Sequence, residues 1–102
     1  MNKFQLHHIT IYIIQNNYKL QLLDSLTNNS KFSEIRKLIA DNSVSDYSEL
    51  YRLLYDEVSV YSNNRDAECI LAIAEGQYQD VNVVDKEINF MSTIIKIMRI
   101  LK

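Results

Sequence analysis

Apolar residues recur with helical spacing over most of this chain. The clearest run extends from Tyr47 to Tyr61, where apolar side chains follow one another at intervals of three and four residues and so fall on one face of a helix. Asp46 stands just before this run and Glu49 follows three residues later, which is the spacing of a helix-capping box. The pattern predicts a helix over residues 47–61.

Two further runs predict a helix before this one and a helix after it. The first covers residues 31–40, and its apolar side is formed by Phe32, Ile35, Leu38 and Ile39. The second covers residues 65–79, with Asn64 as its N-cap. The residues expected to face inward on it are Ala67, Ile70, Leu71, Ala74 and Tyr78. Gly76 in its interior costs about 1 kcal/mol relative to alanine, unless close packing or a local bend uses it.

The last predicted helix, over residues 83–101, carries two rows of apolar side chains. The first row consists of Val84, Ile88, Met91, Ile95 and Met98. The second row consists of Phe90, Ile94, Ile97 and Leu101. Together they cover about half of the circumference, which exceeds the arc of about 100° that a surface helix needs. Either this helix is central in a bundle, or one row faces the core and the other a partner, in which case the second row is our candidate protein interface.

The first part of the chain gives a mixed pattern. Ile9, Ile11 and Ile13 alternate with polar or aromatic residues as in a strand, whereas the apolar spacing is helical from Tyr18 onward. We therefore expect a helix from about Tyr18 and leave the structure of residues 1–15 open. Short polar clusters divide the rest into about five helices, so that residues 16–102 are expected to form one compact bundle.

Composition strengthens the prediction of an all-α fold. The chain has 102 residues, one glycine and no proline, whereas an all-β domain needs turn residues at regular intervals. No apolar run approaches the roughly 20 residues of a membrane span, and the first residues do not have the pattern of a signal peptide. The single cysteine fits a reducing compartment. We therefore expect a cytoplasmic domain that does not enter a membrane.

Charge is distributed unevenly although the net charge is only −2. Residues 1–40 carry five Lys or Arg against two Asp or Glu, and residues 41–87 carry three against eleven. The chain from residue 88 onward adds three cations and no acid. This distribution either favours head-to-tail contacts between copies, of the kind that close rings, or reflects chance clustering on solvated faces. The only compact basic patch expected is Lys31, Arg36 and Lys37, which is our candidate for contact with nucleic acid.

No catalytic, cofactor-binding or metal-ligating set stands out. A phosphate-binding loop needs several glycines and a lysine, whereas the only glycine is followed by Gln77. His7 and His8 are adjacent, which is not the spacing of a zinc site. Cys69 precedes two apolar residues, so we expect a buried structural thiol. The sequence therefore predicts a protein that binds a partner and is not itself an enzyme.

The order of these segments resembles a known family, the C-terminal collar domains of sliding-clamp loader small subunits of the replication factor C and T-even-phage type. The resemblance covers roughly Tyr18 to Lys102 and is one of pattern and order. The segments that carry it are Leu22–Leu26, Phe32–Leu38, Tyr47–Tyr61, Ile73–Tyr78 and Asp85–Phe90.

This resemblance implies a five-helix domain that joins clamp-loader subunits in a ring during DNA replication. The AAA+ ATPase modules that bind ATP and magnesium, open the sliding clamp and place it on primer-template DNA would belong to an upstream part of the parent subunit, and this chain would hold no cofactor. The cell would be a bacterium or a phage-infected host. The alternative is a stand-alone phage or bacterial regulator or inhibitor whose acidic middle binds a protein partner.

Overall fold

The computed structural model describes residues 17–102 of the chain. All regular secondary structure in this range is α-helical, which confirms the predicted fold class. The six helices are α1 (Asn17–Thr27), α2 (Phe32–Asp41), α3 (Tyr47–Asp56), α4 (Val58–Tyr61), α5 (Asp66–Asp80) and α6 (Lys86–Leu101). Residues 1–15, whose structure the sequence left open, lie outside the described residues together with His7 and His8.

The helix predicted over residues 47–61 is divided, which gives six helices where about five were expected. At Glu57 the backbone leaves helical geometry (φ −108°, ψ 21°), and α4 continues as a single turn. The Tyr61 hydroxyl donates to the carbonyl oxygen of Leu54 at 2.7 Å. This bond joins α4 to α3, and Val58 and Tyr61 of α4 are both buried in the core.

The predicted helix starts are right in one case and displaced in two. The Asp46 carboxylate accepts a hydrogen bond from the backbone N–H of Ser48 at 3.0 Å, so Asp46 is the N-cap of α3. Asn64 is not an N-cap, because it lies in a left-handed turn (φ 70°) and α5 begins at Asp66. Helix α6 begins at Lys86, three residues later than predicted, where Asp85 caps the N–H of Ile88 at 3.0 Å.

The core lies between α1, α2, α3, α5 and α6. Its fully buried large apolar side chains are Leu22, Ile35, Ile39, Leu50, Tyr51, Leu54, Phe90, Ile94 and Ile97. The Phe90 ring packs against those of Tyr47 and Tyr51, with centroids 5.4 Å from each. Burying a side chain of this size stabilises the fold by about 1.5–3 kcal/mol relative to leaving it in water.

Helices α5 and α6 form an antiparallel hairpin that packs on α3. The side-chain amide of Asn89 donates to the Gly76 carbonyl oxygen at 2.9 Å, and the Arg65 guanidinium donates to the Ile100 carbonyl oxygen at 2.6 Å. These two bonds set the register between the helices near both ends. The hairpin therefore presents one side to the core and a second, outer side to solvent.

Candidate protein-contact face

The predicted interface row of the last helix is core, and this corrects our expectation. Phe90, Ile94 and Ile97 are 0 % exposed, and Leu101 is half-buried against the same core. The pattern could not separate the two rows of α6 because both are equally apolar. Thr93, beside this row, is buried as well and lies next to Gly76, so the buried side of α6 extends from this row toward α5.

Part of the first row of the last helix reaches the surface instead. Ile88 is 69 % exposed and Ile95 is 36 % exposed, while Met91 between them is buried. Val84 lies before the first turn of α6 and is fully exposed. The second row is therefore core, whereas the first row is divided between the core (Met91 and Met98) and the surface (Ile88 and Ile95).

The inward face predicted for α5 is also wrong. Leu71 is 72 % and Tyr78 77 % exposed. Of the other three residues expected there, Ala67 and Ala74 are exposed and Ile70 is half-buried. The side that is buried consists of Cys69, Ala72, Ile73, Gly76 and Asp80. These side chains are mostly small, and they let α6 and Tyr51 approach the α5 backbone more closely than a row with Leu71 and Tyr78 would allow.

The outward-facing side chains of α5 and α6 form one continuous surface. The Lys96 ammonium donates to the Glu75 carboxylate across the hairpin. Leu71 and Tyr78 lie four residues before and three residues after Glu75, and so on the same side of α5. We define the outer face as Leu71, Glu75 and Tyr78 of α5 together with Ile88, Ser92, Ile95, Lys96 and Arg99 of α6.

Exposed large apolar side chains concentrate on this hairpin. Of the eight in residues 17–102, six belong to α5, α6 or the connection between them, and only Tyr55 and Val60 lie elsewhere. The six are Leu71, Tyr78, Val81, Val84, Ile88 and Ile95. Single exposed apolar side chains need no explanation, whereas their concentration on one hairpin makes this hairpin the candidate contact surface.

A buried polar cluster holds the two helices of the hairpin at a fixed distance. The Asn89 amide donates to the Tyr51 hydroxyl and to the Gly76 carbonyl oxygen, each at 2.9 Å. A Cβ atom on Gly76 would lie 2.1 Å from the Thr93 hydroxyl oxygen. Gly76 is therefore explained by close packing, which is one of the two uses expected for a glycine inside this helix.

Lys86, the first residue of α6, is bonded to Asp80, the last residue of α5, and so joins the two ends of the connection between these helices. The Lys86 ammonium donates to the carbonyl oxygen of Asp80 and lies 3.4 Å from its carboxylate, which is itself buried. Val81 and Val84 of this connection point outward. Since the register of the hairpin is fixed at this end as well, its outer face is a rigid surface with defined spacing.

The three cations of the predicted basic patch, Lys31, Arg36 and Lys37, are all exposed. Lys31 is the N-cap residue that precedes α2, and Arg36 and Lys37 follow one another on the helix, about 100° apart. The Lys37 ammonium is bonded to the Asp41 carboxylate at 2.7 Å, which offsets part of the positive charge. Contact of this patch with nucleic acid stays a prediction.

The described residues provide no clear site for cysteine or metal chemistry. Cys69 is fully buried, as predicted, and burial raises the pKa of its thiol. Among residues 17–102, no three side chains of the metal-ligating types come together. No helix in the described part of the chain is long and apolar enough to cross a membrane.

Comparison with known protein families, with characterised proteins and with solved structures finds no match for this chain, so its outer face is interpreted from its own geometry.

Proposed function

We propose that this chain is an assembly module that binds a protein through the outer face of the α5–α6 hairpin. The observation that carries the proposal is the set of four large apolar side chains, Leu71, Tyr78, Ile88 and Ile95, held exposed on a rigid pair of helices. Among residues 17–102, none of the four belongs to the hydrophobic core or to the side chains packed against it. A protein partner that covered them would remove them from water.

The size of the gain favours a reversible contact. Full burial of each of these four side chains is worth about 1.5–3 kcal/mol, and about half of that remains available because they are partly covered already. Covering all four would yield about 3–6 kcal/mol, of the same order as the lower estimates of the cost of association. The face therefore needs either polar contacts at its edge or more than one contact per assembly to give a stable complex.

More specifically, we propose that the chain is the collar domain of a clamp-loader subunit. The support is the resemblance in the order of segments, together with an apolar face available for a neighbouring subunit. In this form ATP, magnesium and primer-template DNA are bound by the parent subunit, and the outer face replaces the row of Phe90, Ile94, Ile97 and Leu101 as the contact to a neighbour. The chain would then support loading of the sliding clamp in DNA replication.

The test places charge on the outer face without disturbing the core. Leu71→Glu and Ile88→Glu change side chains that are about 70 % exposed, so we expect the free energy of unfolding to change by no more than about 0.5 kcal/mol. Tyr55→Glu is the matched control, because Tyr55 is an exposed apolar residue on α3, outside the face. Light scattering after gel filtration would measure association of each protein with itself and with the clamp-loader subunits encoded in the same genome.

The expected result is that both face variants lose association by at least tenfold while Tyr55→Glu keeps it. If both face variants associate as the wild-type chain does, the outer face is not a contact surface and the proposal fails. The collar form has a separate test in the genome. An in-frame AAA+ module upstream of residue 1 supports it, whereas an independent promoter and start codon at residue 1 favour the stand-alone regulator.

A further inference from the structure

We propose that the partner on the outer face is a second copy of this chain, laid face to face with α6 antiparallel to α6 about a two-fold axis beside Ser92. The proposal rests on the proposed function in one respect, namely that the outer face is a contact surface. It goes further by naming the occupant and the symmetry. Its support is that the pattern of the face is complementary to itself.

The first sign of self-complementarity is the row along α6. Ile88, Ser92, Ile95 and Arg99 follow one another at intervals of four, three and four, so they lie in one line along α6, and the N-cap residue Asp85 precedes this line by three residues. Two apolar residues flank a small central one, and the ends carry opposite charges. Rotation by 180° about an axis at Ser92 places Ile88 opposite Ile95 of the second copy and Asp85 opposite its Arg99. Ser92 then lies beside its own symmetry mate, where its small side chain lets the helices approach.

The row along α5 has the same symmetry at the same level. Leu71 and Tyr78 are seven residues apart, as are Ile88 and Ile95, which is about 10 Å along a helix. The bond between the Asn89 amide and the Gly76 carbonyl sets the antiparallel register, so that the midpoints of the two apolar pairs lie within about one residue, or about 1.5 Å, of the same level. One two-fold axis therefore places Leu71 opposite Tyr78 of the second copy while it pairs the isoleucines. No contact of this set joins an apolar side chain to a charged one.

The charged residues at the two ends of the row favour this arrangement over the alternative in which α5 lies over α6 of the second copy. Asp85 and Arg99 are about 21 Å apart along α6, too far to pair within one copy. Within residues 17–102 Arg99 makes no ion pair. In the rival arrangement, α5 lies over α6 of the second copy and Arg99 meets Glu68, which already has Arg65 at 3.9 Å. The antiparallel α6 pair gives Arg99 its acidic partner and avoids this competition.

Near the axis, the Glu75 carboxylates of the two copies approach each other. Each is bonded to Lys96 of its own chain, which offsets the repulsion in part. We therefore expect Glu75→Gln to strengthen the dimer by about two- to threefold. This direction is diagnostic, because at a face that is not in contact the same substitution would leave association unchanged.

The area of the face predicts a weak dimer. Helix α6 has 16 residues and is therefore about 24 Å long, and two helices side by side are about 20 Å wide. The flat footprint of about 480 Å² per copy is below the roughly 800 Å² of a standard interface. We expect dissociation constants in the range of about 10–100 µM, so association should be sought at high protein concentration.

The decisive experiment is a disulfide between copies of the full-length chain. Ser92→Cys places two thiols beside the axis, where the separation suits a disulfide if the helix axes are about 8–9 Å apart. Two controls are treated with the same oxidised glutathione. They are the wild-type chain, whose Cys69 is fully buried, and Ser33→Cys, an exposed position on α2 away from the face. Circular dichroism would show that each variant is folded.

We expect Ser92→Cys to form a covalent dimer at 100 µM at least tenfold faster than Ser33→Cys. Arg99→Glu in the same chain should slow this reaction at least threefold, since it sets a carboxylate against Asp85 of the second copy. Adding Asp85→Asn, which keeps the helix cap, should restore most of the rate. This restoration cannot come from a structural role of either residue within one chain.

Three results would overturn the inference, and they differ in what they leave standing. If sedimentation shows a dimer that Leu71→Glu disrupts but Ser92→Cys does not cross-link, the copies are arranged differently and only the contact surface stands. If the chain stays monomeric at 500 µM but binds clamp-loader subunits through the face, the occupant is another protein. If the face affects no association at all, the inference and the proposed function both fail.

Discussion

Replacing Gly76 with alanine tests the close packing on which the hairpin depends. On helix propensity alone, this change stabilises an interior helical position by about 1 kcal/mol. In this structure the added Cβ atom lies 2.1 Å from the Thr93 hydroxyl oxygen and 2.7 Å from Cε1 of Tyr51, both far inside van der Waals contact. The propensity and the packing therefore predict opposite signs.

The size of the destabilisation by Gly76→Ala follows from the side chains and helices that have to move. A rotation of the Thr93 side chain does not relieve the contact fully, because its Cβ atom also lies only 3.2 Å from the added atom, so α5 and α6 have to separate. Overpacking of this kind costs about 1–3 kcal/mol, and loss of the 2.9 Å bond from Asn89 to the Gly76 carbonyl adds about 1 kcal/mol. After subtraction of the gain in propensity, we expect Gly76→Ala to destabilise the protein by about 2 kcal/mol.

Urea unfolding followed by circular dichroism at 222 nm measures this difference, and the melting temperature should fall by about 10 °C. Ala74→Gly is the matched control on the same helix, since Ala74 is exposed and its replacement should cost about 1 kcal/mol. Thr93→Ala removes the nearest atom, so Gly76→Ala should cost at least 1 kcal/mol less in that background. If Gly76→Ala stabilises the wild-type chain, the close packing of α5 on α6 is refuted.

Three further predictions concern burial and ionisation. Ile94→Asp puts a charge into the core and should unfold the protein, whereas Ile95→Asp next to it should cost only about 1–2 kcal/mol, because Ile95 is 36 % exposed. Far-ultraviolet dichroism of the two variants decides whether the rows of α6 are assigned correctly. Burial, with Glu87 and Asp85 nearby, raises the pKa of Tyr47 from 10.0 to about 12. The stability due to its neutral phenol is therefore present below pH 10 and lost as the pH rises through 12. Absorbance at 295 nm should show a tyrosine that titrates late, and Tyr47→Phe should remove this titration. Hydrogen bonds from Ser62 and Ser59 hold the pKa of Asp66 below its usual value, so their stabilisation is lost as the pH falls below about 4, and urea unfolding of Ser62→Ala should show a smaller loss over this interval.

Local chemistry accounts for what the sequence predicted correctly about the fold. An absence of proline, a single glycine and apolar spacing of three and four residues leave few alternatives to an α-helical bundle. Asp46 was recognisable as an N-cap because its carboxylate contacts a backbone N–H only two residues away. The division at Glu57 was not recognisable, since the apolar spacing continues across it without a glycine or a proline.

Helix α5 shows why the spacing of apolar residues alone predicted the wrong buried side. Its sequence is apolar on nearly every side, so the larger side chains Leu71 and Tyr78 were expected inside. Which side is buried depends on how closely another helix can approach, and the smallest residues, Ala72 and Gly76, permit the closest approach. A glycine among small residues at intervals of three and four was the signal available, and it pointed to the buried side.

The sequence by itself determined that this protein is helical and where most of its helices lie. It also showed that the apolar arc of the last helix is wider than contact with a single neighbour needs. Only the tertiary structure decided which row of that helix is core. The reason is that burial of one row instead of the other depends on side chains from α3 and α5, which lie far away in the sequence. By placing Phe90 inside and Ile88 outside, the fold also moved the candidate interface onto the outer face of the hairpin.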